Sequence, residues 1–144
     1  MMDAIRTING LPLPPALVAA LANGRWRTPQ NDGRWYTLFP PSEVVRPRLY
    51  DERRMRNENA DWAKETDAMY LGASDGPYRP GAIDPHRSLL IAELQYDAPL
   101  ALDYRASPSN PSVVYMIPYV DGFRWTVVAL DIESFMRALS LGVE

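Results

Sequence analysis

Ser88-Leu89-Leu90-Ile91-Ala92-Glu93-Leu94 is apolar at every position but the first and the sixth. A run of this length, apolar on both alternating sets of positions, predicts a strand buried on both faces near the centre of a sheet. Downstream, Leu100, Leu102 and Tyr104 alternate with Ala101, Asp103 and Arg105, and Val113, Tyr115 and Ile117 alternate with Val114 and Met116. Both carry the two-residue period of a pleated strand. Trp125 to Leu130 is a fourth strand segment. Tyr96-Asp97-Ala98-Pro99, Ser107-Pro108-Ser109-Asn110-Pro111 and Asp121-Gly122 supply turn chemistry between the four, and connections this short predict a meander. The period then changes. Asp131 can cap a helix whose Ile132, Phe135, Met136 and Leu139 recur at helical spacing, leaving Glu133 and Arg137 to water, with Gly142 to end it.

Upstream, Pro14-Pro15 suits a helix start and Asn23-Gly24 a stop, which predicts a short helix burying Leu17, Val18 and Leu21. Trp26, between Arg25 and Arg27, reads as a core or lid residue with snorkelling flanks rather than a nucleotide clamp. Prolines 29, 40, 41 and 47 with Gly33 forbid a long helix between Gln30 and Arg48, and Trp35-Tyr36-Thr37-Leu38-Phe39 reads as an edge strand or extended arm. Leu49 to Glu65 lacks proline and glycine and predicts a helix with Met55, Asn59 and Trp62 on one side. Its interleaved Arg53, Arg54, Arg56, Asp51, Glu52, Glu58, Asp61 and Glu65 read as a solvated face. Ala68 to Leu71 reads as a strand, and Gly72 to Pro85 as a loop at the sheet edge. The fold class expected is therefore α+β: one domain over residues 1–144, with an antiparallel or mixed sheet of about four to six strands covered by N- and C-terminal helices.

A chain of 144 residues, 47% hydrophobic and 23% charged, has the size and balance of one globular core. No apolar run reaches the roughly 20 residues of a membrane-spanning helix, and Met1 to Arg6 lacks the pattern of a signal peptide, so a cytoplasmic protein is expected. The absence of cysteine rules out disulfides, thiol catalysis and cysteine-ligated metal. Residues 1–65 carry ten basic and eight acidic side chains, whereas 66–144 carry five and ten. The acidic, sheet-rich half favours encounter with a basic partner and disfavours nucleic acid.

Catalytic motifs are sparse. His86 is the single histidine, and its neighbour Asp84 reads as turn chemistry rather than the orienter of a dyad. There is no nucleophile elbow, phosphate loop or dinucleotide fingerprint, and Gly72 to Gly76 is not followed by a helix start that could cradle phosphate. Asp67, Asp75, Asp84, Asp97 and Asp103 lack ligand spacing. No enzyme activity, cofactor or metal is expected; a carboxylate-dependent hydrolase built around Asp75, Asp84 and His86 is the weakest of the alternatives. Tyr78, Tyr96, Tyr119 and Phe123 fall in expected loops, where amphipathic rings serve as lids or binding anchors.

Taken in order, Ile91-Ala92-Glu93-Leu94, Ala101-Leu102-Asp103-Tyr104-Arg105, Pro111-Ser112-Val113-Val114-Tyr115, Trp125 with Val128-Ala129, and Ser134-Phe135-Met136-Arg137-Ala138-Leu139 resemble the SUKH superfamily. This is the Smi/Knr-type group of fungal cell-wall regulators and bacterial immunity proteins. Leu13-Pro14-Pro15 and Asn23-Gly24-Arg25-Trp26-Arg27 are similar to the start of bacterial members. The resemblance implies a non-catalytic protein-binding module that neutralises a cognate toxin, often a nuclease of a polymorphic toxin system; a regulatory adaptor is the alternative. A partner-binding surface is then expected on Asp97, Asp103 and Asp121 with Tyr96, Tyr119 and Phe123, an acidic rim able to stand in for nucleic acid.

Overall fold

A computed structural model describes residues 7–28, 48–95, 98–119 and 122–139. The four apolar segments form strands β5 (Ser88–Gln95), β6 (Ala98–Asp103), β7 (Ser112–Tyr119) and β8 (Gly122–Ala129), each antiparallel to the next. Two-residue strands close the edges of this six-stranded sheet: β3 (Arg48–Leu49) beside β5, and β4 (Pro80–Gly81) beside β8. A separate hairpin, β1 (Thr7–Ile8) and β2 (Leu11–Pro12), precedes helix α1 (Pro15–Asn23). The chain is thus α+β with the expected meander at its centre.

Antiparallel register partners share a face. Leu90, Ala101, Val114, Met116 and Trp125 line one face of the sheet, and Leu89, Leu102 and Val113 the other. Helix α2 (Glu52–Trp62) lies over the first: the Trp62 indole N–H donates to Ser88 Oγ on β5 at 2.9 Å, and its ring is 6.0 Å from that of Trp125 on β8. Helix α4 (Ile132–Ala138) packs on β7 and β8 and touches α1, while the Tyr104 hydroxyl donates to the Pro12 carbonyl at 2.7 Å. Ile132, Phe135, Met136 and Leu139 are all buried, as the helical spacing predicts, and so are Met55, Asn59 and Trp62. Leu17 is fully buried on α1, with Val18 and Leu21 packed at the margin of the core.

Capping chemistry accounts for where the helices differ from expectation. Asp51 accepts the Arg54 N–H and starts α2 at Glu52 rather than at Leu49. Ala68–Leu71 is a helical turn, α3, and not a strand: Asp67 caps it by accepting the Met69 N–H, and Gly72, at φ 77°, ends it. Helix α4 stops at Ala138, before Gly142, which lies outside the described residues. The segment Trp35 to Phe39 also lies outside them. Gly72 and Gly81 face each other across the loop that leads to β4. A Cβ on Gly72 would land on the Gly81 carbonyl oxygen and one on Gly81 on the Ala73 carbonyl oxygen, so the loop closes only because both lack one. Among the described residues no helix is long and apolar enough to cross a membrane.

Candidate functional site

A pocket of about 320 Å³ opens on the Trp62 face of the sheet. Helix α2 and the turn after it contribute Glu58, Trp62 and Glu65, whose spacing of four and three residues places them along one side. Tyr50, just past β3, and Tyr70 of α3 stand at its margins, and Leu90, Pro99 and Met116 supply apolar surface from the sheet.

Glu93 completes the lining, and it is there because β5 is irregular. Leu90 pairs with Ala101, but Ala92 pairs with Leu100, so the register slips by one residue between them. Without that bulge, strict alternation from Leu90 would send Glu93 to the opposite face. With it, Glu93 pairs with Pro99 and joins Leu90 in the pocket wall.

Three carboxylates therefore face one cavity, and among the described residues Arg54 is the cation paired with one of them. The Arg54 guanidinium donates to Glu93 Oε1 at 2.9 Å and lies 4.7 Å from the centroid of the Tyr50 ring. Tyr50 is buried, and burial, reinforced by the negative charges of Glu93 and Glu58 against the opposing pull of Arg54, pushes its hydroxyl well above the usual phenol range. The hydroxyl stays protonated beside the Glu58 carboxylate. Glu65 Oε2 accepts the backbone N–H groups of Thr66 and Asp67 at 3.1 and 3.2 Å. Such a site can receive a cation through ring faces and carboxylates together.

The sequence-nominated residues fall in different places. Asp103 is buried, and both its oxygens take the Arg105 guanidinium at 3.1 Å, while Arg105 also donates to the Ala82 carbonyl. It clasps the end of β6 to the loop before β5. Phe123 belongs to β8 instead of a loop and stacks on Tyr70, ring centroids 6.0 Å apart at 14°, so it backs the pocket wall. Tyr119 also belongs to a strand instead of a loop, β7, where its backbone pairs with Gly122. Tyr96, Asp97 and Asp121 lie outside the described residues. Asp84 accepts the backbone N–H of His86 at 2.9 Å and caps a single 3-10 turn, and Asp75 pairs with Arg124 at 3.0 Å, so neither carboxylate is directed at the imidazole.

Sequence reading assigned Glu58 and Glu65 to a solvated helix face and passed over Glu93. The signal lay in β5 itself: one carboxylate inside an apolar run needs a partner or a wet pocket.

Comparison of the chain with protein-family models, with curated proteins and with solved structures finds no match.

Proposed function

We propose that this chain is a non-catalytic protein-binding module of the immunity-protein type, which occupies the surface of a basic toxin, often a nuclease, and blocks it. The carrying observation is the pocket, where three glutamates and three aromatic side chains converge, with Arg54 bonded to Glu93 and lying over the Tyr50 ring. Rings supply rigid contact area and carboxylates supply complementarity to a nucleic-acid-binding surface. The resemblance to the SUKH superfamily supports the same reading, since its motifs run through the β5–β8 meander and α4. A toxin interface of ordinary size, roughly 800 Å² per partner, would extend beyond the pocket over neighbouring surface.

The test is affinity capture of the tagged chain from its own cell lysate, with the genes beside its own read in parallel. One stoichiometric partner encoded by an adjacent toxin-like gene is the expected result. Several substoichiometric partners and no such neighbour would replace this reading with a regulatory adaptor.

A further inference from the structure

We infer that the pocket between α2, α3 and the sheet is a receptor for a single arginine side chain of the partner. This deepens the partner-binding reading and rests on it for the identity of the occupant. The chemistry itself is a property of this chain alone.

Two features carry the inference. One wall already holds a guanidinium: Arg54 lies 4.7 Å over the Tyr50 ring and donates to Glu93. Ring face and carboxylate thus accept a planar cation on this surface. Among the described residues, no basic side chain lines the pocket to balance the remaining charge. Arg54 neutralises one of the three glutamates, leaving Glu58, which lines the pocket with Tyr50, and Glu65, whose Oε2 takes two backbone donors. Each of these carboxylates retains acceptor capacity, because an ionised carboxyl offers about four lone-pair sites. Between them Trp62 and Tyr70 contribute aromatic wall, with Tyr70 held by its stack on Phe123.

Size and shape select the occupant. A cavity of about 320 Å³ is at the lower end of the roughly 300–1,000 Å³ range of small-ligand sites, room for one long side chain and not for a helix or a strand. Arginine fits better than lysine, since a planar guanidinium can stack on a ring while its N–H groups reach two carboxylates, whereas an ammonium acts as a point charge. The site also departs from the sequence expectation of an acidic rim on the sheet loops, because its charges come from a helix, the turn after it and a bulged strand.

The test titrates the isolated full chain with N-acetyl-arginine amide, N-acetyl-lysine amide and the neutral isostere N-acetyl-citrulline amide, following the indole and backbone N–H resonances by nuclear magnetic resonance. Saturable shifts centred on the Trp62 indole, Glu65 and Tyr70 are expected with arginine, with affinity about tenfold or more above that for citrulline and above that for lysine. Glu58→Gln combined with Glu65→Gln should weaken arginine by about tenfold or more, while Glu133→Gln on α4 leaves it unchanged. Equal shifts with citrulline, lysine binding as tightly as arginine, or shifts located elsewhere would overturn the inference, and the ligand comparison requires no variant to fold. Failure here with a toxin still captured from lysate removes the arginine receptor and spares the partner reading; arginine binding with no partner captured does the reverse.

Discussion

Asn59 and Leu90 exchange the pair of hydrogen bonds that a neighbouring strand would make. The Asn59 side-chain oxygen accepts the Leu90 N–H at 2.7 Å, and its amide nitrogen donates to the Leu90 carbonyl at 2.8 Å. Strand β3 pairs only with Ala92 and Glu93, so β5 would leave these groups unpaired inside the protein. The same amide also donates to the Met55 carbonyl, and the backbone carbonyl of Asn59 receives the Asn9 side chain. One buried asparagine thus fastens α2 to the sheet and closes the sheet's edge.

Asn59→Ala should therefore cost about 2–4 kcal/mol, because it strands two buried backbone groups at once. Urea unfolding monitored by tryptophan fluorescence measures it. A cost under about 1 kcal/mol would mean that water replaces the amide and that α2 is held mainly by Met55 and Trp62.

Two glycines with nearly the same φ but opposite ψ, Gly24 in the left-handed helical region at ψ 10° and Gly72 at ψ −168°, should respond differently to alanine. Gly24 and Gly72 have φ of 78° and 77°, but a Cβ at Gly24 meets nothing within 4 Å whereas one at Gly72 collides with the Gly81 carbonyl. Gly24→Ala is expected to cost about 1 kcal/mol from backbone strain alone, and Gly72→Ala clearly more, with local loss of β4 pairing. Paired thermal unfolding curves give the difference; equal shifts would show that the loop relaxes around the added methyl.

Asp131 caps α4 by accepting the Ser134 N–H at 2.8 Å. That backbone bond, assisted by the Ser134 hydroxyl and the charge of Arg137, holds its carboxyl below the usual aspartate range. A depressed folded pKa contributes stability above the unfolded pKa, and this contribution disappears as pH falls through the folded value. Asp131→Ala should cost about 1 kcal/mol near neutral pH, and the gap to wild type should narrow in acid. Denaturant midpoints measured from pH 7 downward check the sign, and a gap that stays constant would argue against a charge-dependent cap.

At the alkaline end, burial raises the phenols of Tyr50, Tyr104 and Tyr115 above the ordinary value of 10.0. The sign is opposite: these groups stabilise the fold fully below the unfolded pKa, and the contribution is lost as pH rises beyond it. Phenolate absorbance should show these three ionising only with unfolding. Simple titration of all eight tyrosines in one step, with the fold intact, would contradict their burial.

The meander and both terminal helices were legible because their signals are local: alternation in β6 and β7, a nearly all-apolar β5, and caps at Pro14-Pro15, Gly24 and Asp131. The Met55, Asn59 and Trp62 stripe was legible for the same reason, although its role as a strand substitute was not, since it depends on a residue 31 positions away. The pocket was less visible. Its third carboxylate reaches the cavity only through a register slip in β5, and no periodicity encodes a bulge. Asp103 illustrates the converse. Its place opposite apolar neighbours in β6 suggested an exposed acid, yet Arg105, two residues on, draws it inward.

The dependence of α2 on β5 also has a direction in time. Protein synthesis delivers α2 first, with the Asn59 amide and the Trp62 indole still bound to water, because Leu90 and Ser88 have not yet been made. The sheet that receives them is built from strands adjacent in sequence, and such contacts form quickly once the strands emerge. Helix α2 is therefore expected to wait as an unanchored segment while the ribosome completes the meander, and to dock after it, so that the pocket it walls comes into being only once the sheet is built.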